Sequence, residues 1–339
     1  MHNFKKALIA SLSFLLCFAL IFSAVVFPAF KTDSLYNDSA KRQELAGSID
    51  FLMCGASHAL GGFIPTIIDE TLGVNSYNLS SYASSFDGRL WLIEKELERN
   101  PVSTFVLEIS YDTIRDYSDD HSTGEPMTTL KLDSFSERIS YMARHVPFTD
   151  LDKFSSVILR YGLNAWKARL TGQLNIPQSS KGYIPNPSVD QGTSEAGLES
   201  IVGIRTMDVD FNAETLGKLG QIAQLCREHG SDFVIAVVPV SDRLMLNYEN
   251  CDDFYSALSD YCLEQGFEFY DFNLLKNRAE LFSDESSFYD ISHMSDEGAQ
   301  AFSQAFAEVM LARSEGKDTS AFFFPTYGLA NAALMEKYN

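Results

Sequence analysis

Residues 50 to 63, DFLMCGASHALGGF, join a short apolar run to a turn that contains Gly55, Ser57 and His58. An apolar run of this length followed by glycine and serine is typical of a buried strand that ends in a tight turn. Ligands of open α/β sheets bind beyond the carboxyl ends of the strands. Because Ser57 lies three residues after Cys54, the last residue of the predicted strand, it is a candidate functional residue.

On both sides of this stretch, short apolar runs alternate with amphipathic segments, a pattern that indicates β-α units around a mostly parallel sheet. The longer runs are almost continuously apolar, as expected for strands that are buried on both faces. The sequence therefore predicts an α/β domain with a five-stranded sheet. Its predicted strands are residues 49 to 54, 74 to 79, 103 to 110, 232 to 240 and 267 to 272.

Three segments have the apolar spacing of amphipathic helices, at residues 85 to 100, 212 to 230 and 295 to 313. Asn212 is placed to cap the start of the second helix, and Gly230 follows its basic last turn. The third segment begins with Ser295 and has acidic residues in its first turn. We therefore expect the last helix of the domain to begin just after His293.

The N-terminal region predicts one membrane-spanning segment. Residues 7 to 30 contain no charged side chain and, as a helix of about 36 Å, would be long enough to cross the hydrocarbon core of a bilayer. Lys5 and Lys6 precede this segment, so we expect a cytoplasmic N-terminus and an extracytoplasmic main domain in the cell membrane. The alternative is a cleaved signal peptide, but the segment lacks a small-x-small site after its apolar run.

The expected organisation is an anchor at residues 1 to 30, a tether at 31 to 48, a domain at 49 to 313 and a tail at 314 to 339 packed on the domain. Residues 111 to 205 interrupt the β-α pattern and are interpreted as an insertion. This insertion is either a surface excursion or a cap that shapes a substrate site at the carboxyl edge of the sheet.

Charge and cysteine content argue against several classes of function. Acidic residues outnumber basic ones by 46 to 26, and a net charge of −20 would repel nucleic acid. The cysteines have no metal-binding spacing, and the acidic segment at 112 to 121 matches no standard ligand pattern, so we expect no metal and no cofactor.

Two further residues complete a candidate catalytic set with Ser57. A serine hydroxyl needs a nearby base, and the base needs a third group that orients it. Asp290 and His293 are three residues apart in a turn that leads into the last helix. Ser57 would act as the nucleophile, His293 as the base and Asp290 as the residue that orients the base. His58 has two readings, a contact in the substrate pocket or a structural hydrogen bond.

With a serine just after strand one and a D-x-x-H sequence before the final helix, the chain resembles the SGNH/GDSL hydrolase superfamily over about residues 48 to 110 and 212 to 313. It is similar to the membrane-anchored DltD-like proteins and to alginate O-acetyltransferases within that superfamily. The resemblance implies a flavodoxin-like three-layer α/β/α fold and a serine esterase or O-acyltransferase that uses Ser57, His293 and Asp290. It also implies that the substrate is an acylated envelope glycan or teichoic acid, and that a membrane acyl-exporting protein is a partner.

The superfamily usually has an oxyanion-hole glycine and asparagine after its second and third strands, whereas this chain has YNLSSYASS and LEISYDT there. The candidate donors are the amide of Ser57 and groups of four other residues, Asn78, Ser80, Ser81 and Ser110. A missing donor costs about 2.7 to 4 kcal/mol of transition-state stabilisation. The alternative function is therefore a catalytically inactive scaffold that binds envelope polymer or assists its assembly.

Overall fold

The structure is a computed structural model that describes residues 2 to 26, 34 to 110, 124 to 171, 180 to 186, 206 to 207, 209 to 283 and 286 to 337. Its centre is a five-stranded parallel sheet with the order β2-β1-β3-β4-β5. All five strands lie within the predicted segments. The strands are β1 (Phe51–Cys54), β2 (Ser76–Asn78), β3 (Thr104–Glu108), β4 (Asp232–Val237) and β5 (Glu268–Asp271).

Helices connect and cover the strands. In chain order they are α1 (His2–Val26), α2 (Ser34–Glu44), α3 (Ser57–Leu60), α4 (Pro65–Leu72), α5 (Phe86–Arg99), α6 (Gly124–Lys131), α7 (Phe135–His145), α8 (Leu151–Thr171), α9 (Ala213–His229), α10 (Asp242–Asn247), α11 (Cys251–Gln265), α12 (Arg278–Leu281), α13 (Asp296–Ser314) and α14 (Tyr327–Lys337). The caps of α9 are those predicted: Asn212 Oδ1 accepts from the amides of Glu214 and Thr215, and Gly230 is left-handed with φ of 71°.

The alternating side chains of the strands divide the apolar core between the two faces of the sheet. On one face, Leu52 and Phe105 belong to a cluster that includes residues of α5, α9 and α11. On the other face, Met53 and Val106 belong to a cluster that includes residues of α4 and α13. The molecule is therefore a three-layer α/β/α structure, in which helices cover both faces of the sheet.

The strand order changes direction at β1, which lies between β2 and β3. In doubly wound sheets such a point leaves a crevice beyond the carboxyl ends of the neighbouring strands. The turn after Cys54 lies at this point. Residues 55 to 58 thus lie at the position where this type of fold binds ligands.

The described part of the predicted insertion contains α6, α7 and α8. Phe154 and Ile158 of α8 lie in a third apolar cluster with Met127 and Leu130 of α6 and with Leu60 of α3. The inner face of α8 therefore packs close to the short helix that begins at Ser57.

The N-terminal helix is one that length and composition would allow to cross a membrane. The qualifying segment is Phe4–Ala24, with a mean hydropathy of 2.4. Its side chains are exposed except for Phe22, which is partly buried. A signal sequence near an N-terminus has the same properties. At the other end of the chain, Tyr327 and Leu334 of α14 are buried in the core.

Candidate active site

The turn after β1 brings Ser57 to the carboxyl edge of the sheet. Gly55 packs so closely that a Cβ atom there would lie 2.5 Å from Glu108 Oε2 and 2.7 Å from the Cβ of Ala59. Only glycine fits at this position, and the chain then bends at Ala56 before α3 begins at Ser57. Since Ser57 is the first residue of α3, its amide has no carbonyl partner within that helix.

Asp290 and His293 lie in a compact turn between α12 and α13. The amide of Tyr289 donates a hydrogen bond to the carbonyl of His293 over 2.8 Å. Ser295 begins α13 as predicted, because its Oγ accepts from the amide of Gly298 over 3.2 Å. The turn and the helix cap together hold the His293 backbone against the end of the sheet.

The three predicted catalytic residues are brought together. Ser57 Oγ lies 2.8 Å from His293 Nε2. On the other side of the ring, His293 Nδ1 lies 2.9 Å from Asp290 Oδ2 and 3.0 Å from Asp290 Oδ1. These distances join a hydroxyl, an imidazole and a carboxylate in one line of hydrogen bonds, the geometry that activates a serine nucleophile.

Asp290 is held in its charged form. Partial burial by itself would raise the pKa of this carboxyl, but hydrogen bonds from His293 and from the amides of Ser292 and His293 lower the pKa below its usual value. The two amide hydrogen bonds to Oδ1 are 2.8 Å and 2.7 Å long. A carboxylate fixed in this way favours the tautomer in which Nδ1 carries the proton and Nε2 faces Ser57 as an acceptor.

His58 stacks on His293 and is partly buried. The two rings are nearly parallel, with an angle of 6° and centroids 4.6 Å apart. Burial first, and then the neighbouring charge of His293, lower the pKa of His58 to about 3. The Nδ1 atom of His58 is buried and has no hydrogen-bond partner among the described residues. The neutral ring of His58 therefore packs against one face of the His293 ring.

Glu108, at the end of β3, is a site residue that our sequence analysis missed. Its side chain is fully buried, and Oε2 accepts from the amide of Ala56 over 3.1 Å. Burial raises the pKa of this carboxyl, although the charge of Arg89 and the Ala56 amide oppose the shift. Glu108 thus supports the turn just before Ser57. The signal was the single charged side chain in the predicted strand STFVLEIS.

Compared with the amide of Ser57, the other oxyanion-hole candidates are less well placed to donate a hydrogen bond to an oxyanion. The side-chain nitrogen Nδ2 of Asn78 donates hydrogen bonds to the backbone carbonyls of Ala59 and Phe63, over 2.8 Å and 3.0 Å. Its side-chain oxygen Oδ1 accepts a hydrogen bond from the backbone amide of Ser80. The amide of Ser81 donates to the carbonyl of Gly55 over 3.2 Å. These contacts join β2 to the turn that carries Ser57.

The side chains of Ser80 and Ser81 are buried, and their hydroxyls have no hydrogen-bond partner among the described residues. Ser110 is partly buried just beyond β3. The amide of Ser57 is therefore the candidate donor that lies next to the nucleophile and is not committed within its helix.

Among the described residues, no group of three or more His, Cys, Asp or Glu side chains could hold a metal ion. The acidic segment at 112 to 121 lies outside the described residues. The arrangement at Ser57 brings together a hydroxyl, an imidazole and a carboxylate, which are the groups that nucleophilic acyl transfer by a serine uses.

The chain was compared with known proteins. No protein-family model matches it, and no curated protein matches its sequence. The geometry around Ser57, His293 and Asp290 is therefore the basis on which a function can be inferred.

Proposed function

We propose that this protein is a serine-dependent esterase or O-acyltransferase of the SGNH type, anchored in the cell membrane with its α/β domain outside. The observation that carries the proposal is the 2.8 Å contact between Ser57 Oγ and His293 Nε2, with Asp290 on the other side of the imidazole. The position of Ser57 supports the same conclusion, because it lies beyond the carboxyl end of β1, where the strand order of the sheet changes direction.

The proposed reaction has two half-reactions. Ser57 Oγ attacks the carbonyl carbon of an ester while its proton moves to Nε2 of His293. The tetrahedral intermediate then collapses, the bond to the leaving alcohol breaks, and His293 returns the proton to that alcohol. Water or an acceptor hydroxyl next gives its proton to Nε2 of His293 and attacks the acyl carbon. The second tetrahedral intermediate then collapses, the bond between the acyl carbon and Ser57 Oγ breaks, and His293 returns the proton to Ser57 Oγ.

The substrate class is part of the proposal. An acylated envelope glycan or teichoic acid fits a domain held at the membrane surface, and a membrane acyl-exporting protein would be the partner that supplies acyl groups. Water as the acceptor makes the protein an esterase, and a sugar or polyol hydroxyl makes it an O-acyltransferase.

A second candidate function is a scaffold that binds envelope polymer without catalysis. The observation that favours it is the engagement of Asn78, whose amide hydrogens are committed to the carbonyls of Ala59 and Phe63. This side chain is then not available to an oxyanion, and the glycine that the superfamily usually has after its second strand is absent from YNLSSYASS.

Labelling with a fluorophosphonate probe separates the two functions. We expect the full chain in detergent micelles to be labelled, and the Ser57→Ala variant to lose the label. His293→Ala should slow labelling by about 100-fold or more, because general-base assistance contributes at least that factor. Ser103→Ala is the matched control, since Ser103 lies at the opposite edge of the sheet, where its hydroxyl donates to the Asp50 carbonyl. A folded parent protein that is never labelled would support the scaffold.

A further inference from the structure

The outer surface of α8 carries apolar side chains where a soluble helix would carry polar ones. Leu163, Trp166 and Leu170 are 58%, 38% and 81% exposed. Their spacing of three and four residues places them on one stripe of the helix. The buried residues Phe154 and Ile158 lie on the opposite side, in the apolar cluster shared with α6 and α3. Helix α8 therefore has two apolar faces, and only one is covered by the described residues.

The apolar stripe lies next to the end of the proposed membrane anchor. The indole nitrogen of Trp166 donates a hydrogen bond to the carbonyl of Ala24 over 3.1 Å. Ala24 is in the last turn of α1, where backbone carbonyls lack partners within the helix. Phe22 of α1 packs on the same cluster as Phe154. The stripe is thus continuous with the apolar surface of α1 at the point where α1 reaches the domain.

The charges beside the stripe are basic, in contrast to the rest of the molecule. Among the side chains that the structure describes on α8, three are basic, Lys153, Arg160 and Lys167, and only one is acidic, Asp152. The whole chain has a net charge of −20. A helix with Trp and Leu on one face and Lys and Arg beside it is the pattern that lies in the interface of anionic membranes.

We propose that α8 lies in the membrane interface, with Leu163, Trp166 and Leu170 in the lipid and its basic side chains on anionic headgroups. The apolar stripe contacts the leaflet of the bilayer on the side where the domain lies. This inference concerns the scaffold and stands whether or not Ser57 is a nucleophile.

The proposal also has a consequence for the candidate active site. Leu60, three residues after Ser57, belongs to the cluster that the inner face of α8 covers. The site would then be held about one helix diameter, ~10 Å, from the lipid. This location suits a substrate presented at the membrane surface.

The chain has two tryptophans, so Trp166 can be observed alone in the Trp91→Phe variant. We would reconstitute the full chain into vesicles of phosphatidylcholine and phosphatidylglycerol whose acyl chains are brominated at a shallow or at a deep position. We expect shallow bromine to quench the fluorescence of Trp166 by about half, and deep bromine to quench it less. Trp166→Phe is the control, because the remaining Trp91 is packed against Tyr141, His145 and Arg144 and should keep its emission.

A second pair of variants, each in the Trp91→Phe background, tests the charges. Lys167→Glu should reduce the quenching of Trp166 about twofold in vesicles that contain phosphatidylglycerol. Lys317→Glu makes the same change at an exposed position after α13 and should leave the quenching unchanged. Equal quenching in the two variants would refute the role of anionic lipid.

The absence of bromine quenching would overturn the proposal, and aqueous iodide then shows what covers the stripe. Quenching of Trp166 by iodide would mean that α8 faces water. Protection from both quenchers would mean that protein covers the stripe.

Discussion

At the scale of single residues, the ring of His58 against His293 is a feature with a direct consequence for the proposed chemistry. The Ser57 hydroxyl can lose its proton to Nε2 only if the imidazole of His293 keeps its orientation. Asp290 fixes this ring through its edge. Stacking by His58, at 4.6 Å between centroids, fixes it through its face. Because burial lowers the pKa of His58 to about 3, the stacked ring stays neutral at physiological pH and adds no charge next to the base.

We predict that the shape of His58 matters and that its polar atoms do not. In the His58→Phe variant, a flat ring remains and the partnerless Nδ1 is removed, so fluorophosphonate labelling of Ser57 should stay within about threefold of the parent. In His58→Ala, the ring of His293 loses its packing, and labelling should slow by about 10-fold or more.

The measurement is the second-order rate of labelling for both variants, with circular dichroism to verify folding. Equal losses in the Phe and Ala variants would show that a polar atom of His58 takes part. A normal rate in the Ala variant would show that the stacking has no role in positioning His293.

At the scale of elements, the start of α13 connects the fold to the turn that carries Asp290 and His293. Gly298 lies in the first turn of this helix, and a Cβ atom there would be 1.9 Å from the carbonyl oxygen of Ser287. The helix can therefore begin at this place only because residue 298 has no side chain. In contrast, Gly217 in the interior of α9 has no atom within 4 Å of the position of a Cβ atom.

We predict opposite effects for the same substitution at these two glycines. Gly298→Ala should push the turn at Ser287 aside, destabilise the protein by about 1 to 3 kcal/mol and slow the labelling of Ser57. Gly217→Ala should stabilise the protein by about 0.5 to 1 kcal/mol and leave labelling unchanged, because alanine is a better helix former in open space. Chemical unfolding of the two variants measures the effect, and destabilisation by both would contradict this assignment.

The elements were more predictable than their contacts. The alternation of short apolar runs with amphipathic segments predicted all five strands, and the cap at Asn212 and the start of the last helix just after His293 were correctly predicted from sequence. The proximity of Ser57 to His293 followed from placing one after the first strand and the other before the last helix. The burial of Glu108 and the committed hydrogen bonds of Asn78 depend on contacts between strands and turns, which local sequence patterns do not encode.

At the scale of the whole molecule, the C-terminal helix α14 contacts β5, the strand at one edge of the sheet. The hydroxyl of Tyr327, at the start of α14, donates to Asp271 Oδ2 at the end of β5 over 2.6 Å. Lys337, at the other end of α14, makes an ion pair with buried Asp242 over 3.1 Å. The C-terminal helix is thus joined by polar contacts to the end of β5 and to the start of α10.

We predict that Asp271 makes the protein more stable in mild acid. Burial raises the pKa of this carboxyl to about 7, against the hydrogen bonds from Asn273 and the charge of Arg278. In the unfolded chain the pKa is about 3.9. Between these values the folded protein binds more protons than the unfolded chain, so the contribution of Asp271 to stability falls as pH rises from about 4 to about 7 and then levels off.

Asp271→Asn removes the titration and retains an oxygen that can accept from Asn273. The variant should therefore match the parent near pH 4 and exceed it above pH 7, by on the order of a few kcal/mol in the free energy of unfolding. Urea unfolding of the full chain in micelles across this pH range tests the prediction, with Asp260→Asn on the exposed side of α11 as the matched substitution. If the free energies of unfolding of the parent and Asp271→Asn changed in parallel with pH, the carboxyl at the end of β5 would be charged throughout this range. The hydroxyl of Tyr327 would then join α14 to an ionised group.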